Sequence, residues 1–236
     1  GVLACREKQA FVLSTKNERI VVDSTRGMAA AVSDSVVRYK SRVDGAMTRV
    51  IGRAPKALTK MQPESALGNF VADALHVQAE KYTGKPADMT VFNHGGLRID
   101  ALPAGDWTIG KIFELLPFDN TLIVVTMTGE QVEQMLQHIA LKEGWPVSKH
   151  VSVSIAGGKA DLAAARISGE PIDKKRMYRV VTNDYLANGG DNCTFFAQSR
   201  QEATGKFIRE AVIDYIEEAT RNNQPLEAKV EGRVRQ

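Results

Sequence analysis

Asn183-Asp184-Tyr185-Leu186-Ala187-Asn188-Gly189-Gly190-Asp191 follows the apolar run Tyr178 to Thr182, and about ninety residues earlier Asn93-His94-Gly95-Gly96-Leu97-Arg98 follows the apolar run Met89 to Phe92. Each stretch reads as a strand that ends in a glycine-rich loop. Each joins a Gly-Gly pair to one charged side chain, Arg98 in the first and Asp191 in the second. Glycine lets backbone approach a ligand and takes positive φ without steric cost. Loops carried on rigid strands are where binding residues concentrate. Two such loops of opposite charge read as two walls of one pocket.

Working outward, the spacing predicts a helix over Ser65 to Tyr82, with Leu67, Phe70, Val71, Ala74, Leu75 and Gln78 on one face. Glu64 and Ser65 suit its N-terminus, and Gly84 followed by Pro86 stops it. Ile109 to Leu115 is a short helix ended by Pro117. Thr121 to Met127 is rich in β-branched residues and reads as a central strand. Gly129 to Leu141 is an amphipathic helix with Val132, Met135, Leu136 and Ile139 inward. Val151 to Ile155 is a strand, and Gly157-Gly158 a hairpin turn. Ala163 to Ile167 and Pro171-Ile172 form a strand and turn. Thr204 to Thr220 is a final helix, and the polar chain after Arg221 frays. At the other end, Arg19 to Val22 is a first strand, and a helix over Ser35 to Arg42 leads to a strand reaching Ile51. Alternating helices and strands, some joined by turns, give one mixed α/β domain over 18–222, with tails at 1–17 and 223–236.

The 236 residues carry a net charge of only +3, and their basic residues are dispersed, which removes the case for nucleic acid. No apolar run approaches the roughly 20 residues of a membrane span. Cys5 and Cys193 are the only cysteines. They make no zinc site or redox motif, and Cys193 reads as a small buried residue. Val2-Leu3-Ala4-Cys5 resembles a bacterial lipobox, so Cys5 is either a lipidation site ahead of a polar tether or an ordinary cysteine in a tail.

A hydrolytic centre is not legible. Phosphoester hydrolysis usually needs metals held by clustered His and Asp. His76, His94, His138 and His150 sit in no such pattern. His76 and His138 read as structural helix residues, His94 as a candidate ligand contact, and His150 carries no signal. A nucleophile elbow and a P-loop are both absent.

Taken together, Glu64-Ser65-Ala66-Leu67-Gly68-Asn69, N-x-G-G-x-R at Asn93 to Arg98, Leu116-Pro117-Phe118, and the loop at Asn183 to Asp191 resemble the C-terminal domain of 5'-nucleotidases. The resemblance spans roughly residues 20 to 220. It implies a nucleotide pocket in which Phe118 and Tyr185 sandwich the base and Asn93 and Asn120 hydrogen-bond it. Asp191 accepts from ribose hydroxyls, and Arg98 meets ribose or phosphate oxygens. Gly95, Gly96 and Gly190 form the loops. Asn69 and Asp73 hold a binding loop in place. The other readings are that Phe118 and Tyr185 are core and that Arg98 and Asp191 pair only with each other.

In that family the catalytic metals sit on a separate two-metal phosphoesterase domain. The resemblance therefore implies that this chain binds no metal itself and works with a metallophosphoesterase partner, in the bacterial envelope, in nucleotide catabolism. The rival reading is a non-enzymatic envelope protein that keeps the fold for solute capture or partner docking. Three departures bear on this. Pro63 replaces an arginine frequent before the glutamate of the first motif, Val147-Ser148-Lys149 lacks a glycine expected beside the base, and Tyr185 replaces the commoner phenylalanine.

Overall fold

The computed structural model describes residues 30–236. The expected strand at Arg19 to Val22, the N-terminal tail and Cys5 lie outside the described residues. In chain order the elements are α1 (Ala30–Met47), β1 (Val50–Ala54), β2 (Leu58–Thr59), α2 (Ala66–Thr83), β3 (Met89–Thr90), β4 (Ala101–Leu102), β5 (Gly105–Thr108), α3 (Ile109–Leu115), β6 (Thr121–Thr128) and α4 (Gly129–Leu141). They continue with β7 (Val151–Ala156), β8 (Lys159–Ala160), β9 (Arg166–Ile167), β10 (Glu170–Pro171), β11 (Met177–Asn183), α5 (Asp184–Ala187), β12 (Arg200–Phe207), α6 (Ile208–Arg221) and β13 (Val234–Arg235). Residues 43–236 form one unit, and α1 begins in a separate one.

The expected mixed α/β architecture is present. The principal sheet runs β12-β6-β11-β3; β6 is antiparallel to β12 and β11, while β3 lies parallel to β11. The period-two alternation of β6 explains its central place. Leu122 and Val124 join a core with α2 and α6, which contains Phe70, Val71, Ile208 and Val212. Ile123, Val125 and Met127 face a second core with α4 and β7, which contains Val132, Met135, Val151 and Val153. A strand apolar on both faces needs cover on both, and helices supply it.

The ends of α2 form as the sequence predicts. Ser65 Oγ accepts from Gly68 N–H, and Gly84 at φ 65 closes the other end with its N–H on Glu80 O. The Gly157-Gly158 turn joins β7 to β8 with both φ values positive, the geometry of a tight hairpin.

Four readings are corrected. α1 extends well beyond Ser35 to Arg42, and the strand starts only at Val50. Between Ala163 and Ile172 only Arg166–Ile167 and Glu170–Pro171 pair. The final helix starts at Ile208, because Thr204 to Phe207 belong to β12. The chain after Arg221 does not fray: Leu226 and Val234 are buried, β13 pairs parallel with β7, and Glu64 accepts the N–H groups of Glu231 and Arg233.

Candidate functional site

Strand directions bring three separated segments to one end of the principal sheet. The first glycine loop leaves the C-terminal end of β3 and the second leaves the C-terminal end of its parallel neighbour β11. β6 runs the other way, with Leu122 opposite Asn183, so the Phe118 to Asn120 segment enters at the same end. Ligands of open α/β sheets characteristically lie beyond the carboxyl ends of parallel strands. A cavity of about 410 Å³ lies here, lined by Asn93, Gly95, Gly96, Arg98, Phe118, Asn120, Tyr185 and Asp191. Its size falls within the roughly 300–1,000 Å³ typical of small-molecule sites.

The segments are tied together by side chains. Asp184 Oδ1 accepts the N–H groups of Thr121 and Tyr185 at 3.0 and 2.9 Å, which joins the second loop to the start of β6. Asn183 Oδ1 caps α5 through Leu186 N–H. The Phe118 segment is held from α6. Ile208 N–H donates to Asn120 O at 2.9 Å, and the Arg209 guanidinium donates to Phe118 O at 3.1 Å and pairs with Asp119. Arg209 also lies over the rings of Phe113 and Phe207. Nothing in the sequence points to this clamp, since the helical pattern places residue 209 in mid-helix rather than at the helix start.

Phe118 and Tyr185 are 48% and 45% exposed, which rules out the core reading of both rings. Large apolar rings left half in water at a concave site are available to a flat ligand face. Arg98 lies 5.7 Å from the centre of the Phe118 ring and donates to Gly95 O at 3.3 Å. It does not pair with Asp191. The Asp191 carboxylate is instead taken by Asn93 Nδ2 at 2.8 Å and by the Tyr185 hydroxyl at 2.9 Å. The Asn93 bond links one glycine loop to the other, and with Nδ2 so committed Asn93 Oδ1 is buried without a partner. The Tyr185 hydroxyl is raised above its ordinary pKa because it donates a hydrogen bond to the Asp191 carboxylate, which favours the protonated phenol.

Two glycines have steric reasons. A Cβ on Gly96 would lie 2.6 Å from the Phe92 ring. One on Gly190 would lie 2.5 Å from Tyr185 O and 2.6 Å from its ring. Gly190 does not line the cavity; it is the seat of the Tyr185 ring. Asp191 has φ 52, a left-handed conformation costing a non-glycine residue on the order of 1 kcal/mol.

Other expectations are corrected. Asn69 and Asp73 do not hold either glycine loop. Asn69 Nδ2 donates to Glu64 and to Lys229 O, and Asp73 accepts from Lys149 N–H and the Arg233 guanidinium. Val147 to Lys149 packs there and against Thr90, away from the cavity lining, and Pro63 packs against Gly144. Neither departure touches the cavity. His94 is not among the lining side chains. His138 packs on Trp145 and Phe195, and His76 stacks on His150 with ring centres 4.2 Å apart. Cys193 is buried and free, its thiol pushed up to about 12 by burial.

A wider groove of about 610 Å³ lies between α4 and residues 192–195. Its charges are partly spent, with Lys174 paired to Glu133 at 3.1 Å. No group of three or more His, Cys, Asp or Glu suited to a metal ion occurs among the described residues.

The family model described as "5'-nucleotidase, C-terminal domain" matches residues 45–198. Protein UshA of Yersinia enterocolitica is 29% identical over 192 residues, covering 80% of this chain and 33% of its own. Cell wall protein Lmo0130 of Listeria monocytogenes is 28% identical over 222 residues, covering 82% of this chain and 28% of its own. The 5'-nucleotidase precursor from Thermus thermophilus aligns with a TM-score of 0.71 at 27% identity, over 87% of this chain and 43% of that one. This chain thus spans about a third or less of these curated relatives and under half of that solved chain.

Proposed function

Since this chain belongs to the family of 5'-nucleotidase C-terminal domains, we propose that it supplies the nucleoside- and nucleotide-binding half of a 5'-nucleotidase-type phosphohydrolase. The observation that carries this reading is the pair of half-exposed rings, Phe118 and Tyr185, set on one cavity with Asn93, Arg98 and Asp191. Every base has a π face, and stacking on an aromatic ring contributes on the order of 1–3 kcal/mol. Asn120 offers its amide group to the base edge, and Asn93, with Oδ1 buried and one Nδ2 hydrogen on Asp191, offers its second Nδ2 hydrogen. Asp191 offers carboxylate oxygens to the ribose hydroxyls. Arg98 offers a planar donor fork to ribose or phosphate oxygens.

The hydrolytic metals belong, by the family resemblance, to a metallophosphoesterase unit. Among the described residues no group of three or more His, Cys, Asp or Glu could hold a metal ion. A phosphoesterase partner supplies that chemistry, and this chain holds and orients the nucleotide, with no cofactor of its own. We place this work in the cell envelope, in nucleotide catabolism. The Listeria relative's description as a cell wall protein supports the envelope, and no described helix is long and apolar enough to cross a membrane.

The test is calorimetric titration of the metal-free chain with adenosine and AMP, beside Phe118→Ala and the Phe118→Ala/Tyr185→Ala double variant. Saturable binding is expected, weakened by roughly 1–3 kcal/mol in the single variant and abolished in the double. An unchanged dissociation constant in the double variant overturns the base-stacking site. Hydrolysis of AMP by the chain alone with divalent metal, tracking Phe118 and Arg98 variants, overturns the division of labour.

A further inference from the structure

Tyr185 differs from a plain stacking ring by one oxygen, and that oxygen grips Asp191 twice. The hydroxyl donates to Asp191 Oδ1 at 2.9 Å and accepts the Asp191 backbone N–H at 3.2 Å. From the other glycine loop, Asn93 Nδ2 donates to Asp191 Oδ2 at 2.8 Å. An ionised carboxylate has about four acceptor positions, two on each oxygen. One on each oxygen is therefore occupied, and one on each remains. The remaining pair matches the two donors of a vicinal diol. Asp191 sits at φ 52, where an L-residue persists only if its surroundings fix it. Tyr185 fixes both the backbone and the carboxylate of that residue, and Gly190 lets the ring lie close enough to do so.

We propose that the Tyr185 hydroxyl is a positioning group that makes this cavity selective for the 2',3'-diol of ribose, by holding Asp191 with one free acceptor position on each oxygen. The inference rests on the nucleoside-binding reading above. Phenylalanine at 185 keeps the stacking face and its seat but loses both bonds, which leaves the Asp191 carboxylate held through Oδ2 by Asn93 alone and less well aimed at the diol.

The experiment measures dissociation constants of the full chain for adenosine and 2',3'-dideoxyadenosine, with uridine and its dideoxy form as a second pair. The wild type is compared with Tyr185→Phe, Asp191→Asn and Asp191→Glu, each checked for its melting temperature. The wild type is expected to favour the ribose form by about tenfold or more, since two hydrogen bonds to a charged group are at stake. Tyr185→Phe is expected to cut that ratio about fivefold while dideoxy binding changes less than about twofold. Asp191→Asn and Asp191→Glu are expected to bring the ratio close to one without altering the ring, which keeps the test open if Tyr185→Phe folds poorly. A ratio that survives Tyr185→Phe overturns the proposal. Equal loss of both ligand forms also overturns it, because the hydroxyl then serves only the loop. Absence of any nucleoside binding by the wild type removes the nucleoside reading itself, a result distinct from binding with an unaltered ratio.

Discussion

Arg98 and Asp191 carry opposite charges into one cavity without neutralising each other. Asp191 spends its charge on Asn93 and Tyr185, and Arg98 leaves its guanidinium over the Phe118 ring. A cation so placed meets an anion better than a neutral sugar. Arg98→Ala is expected to weaken AMP binding by roughly 1.5–3 kcal/mol, the worth of a hydrogen bond to a charged group, and to weaken adenosine binding less. Parallel titrations of the two ligands check this, and an equal loss for both would take Arg98 off the phosphate. At this scale the cavity lining is legible in the sequence: Asn93, Gly95, Gly96, Arg98, Phe118, Asn120, Tyr185 and Asp191 all follow from motifs. The partners of those side chains do not. No spacing rule says that Asn93 reaches Asp191 rather than solvent, because the bond crosses 98 positions of sequence.

At the scale of elements, the second loop depends on a missing side chain. Gly190→Ala would place a methyl group 2.5 Å from Tyr185 O, a backbone atom that cannot swing aside. The expected cost is about 1–3 kcal/mol of local strain. It should emerge as weakened nucleoside affinity together with a melting temperature lower by roughly 2–4 °C per kcal/mol of strain. Affinity equal to wild type would show that the Tyr185 ring needs no such seat. Periodicity identifies the element types where it is strong, as in α2, α4 and β6. It fails at β12 for a physical reason. This is an edge strand of mostly polar residues with a register break between Ala203 and Phe207 and Gly205 at φ 74. Polar edges protect sheets from further pairing, so they carry no apolar alternation, and Phe207 merges into the helical pattern that follows it.

At the scale of the whole molecule, the C-terminal segment is a strap. The Arg233 guanidinium is buried and donates to both carboxylate oxygens of Asp73 at 2.9 and 2.7 Å, to Val147 O at 3.0 Å and to Glu231. Arg233→Ala is expected to destabilise the fold by about 3–5 kcal/mol, because it strands carboxylates at a partly buried site. The urea midpoint measures it, and a loss below about 1 kcal/mol, the level of a surface pair, would refute the strap. Acid should loosen the same side of α2. His76 is buried against Thr90 and His150, near Glu80, Asp73 and Lys149, and its pKa is lowered to about 4, first by burial and then by His150. The unfolded chain takes up that proton near pH 6.5 and the folded one only near 4. Stability therefore falls as pH drops through this window, by roughly 3 kcal/mol at its lower end. Urea midpoints from about pH 7 to about 4.5 should fall more steeply for the wild type than for His76→Gln, and identical slopes would clear His76 of the effect. The sequence by itself determined the mixed α/β class, the long helices, the central strand and the two glycine loops, because periodicity and glycine placement are local properties of the chain, while Phe118 and Asn120 were singled out by the family resemblance. Only the tertiary structure decided that the last residues pack rather than fray, that Asn69 and Asp73 serve that strap, and that Phe118 and Tyr185 stand in water. Those outcomes depend on which distant backbone and side-chain groups share a buried site, and hydrogen-bond and burial demands of that kind are met across the fold rather than along it.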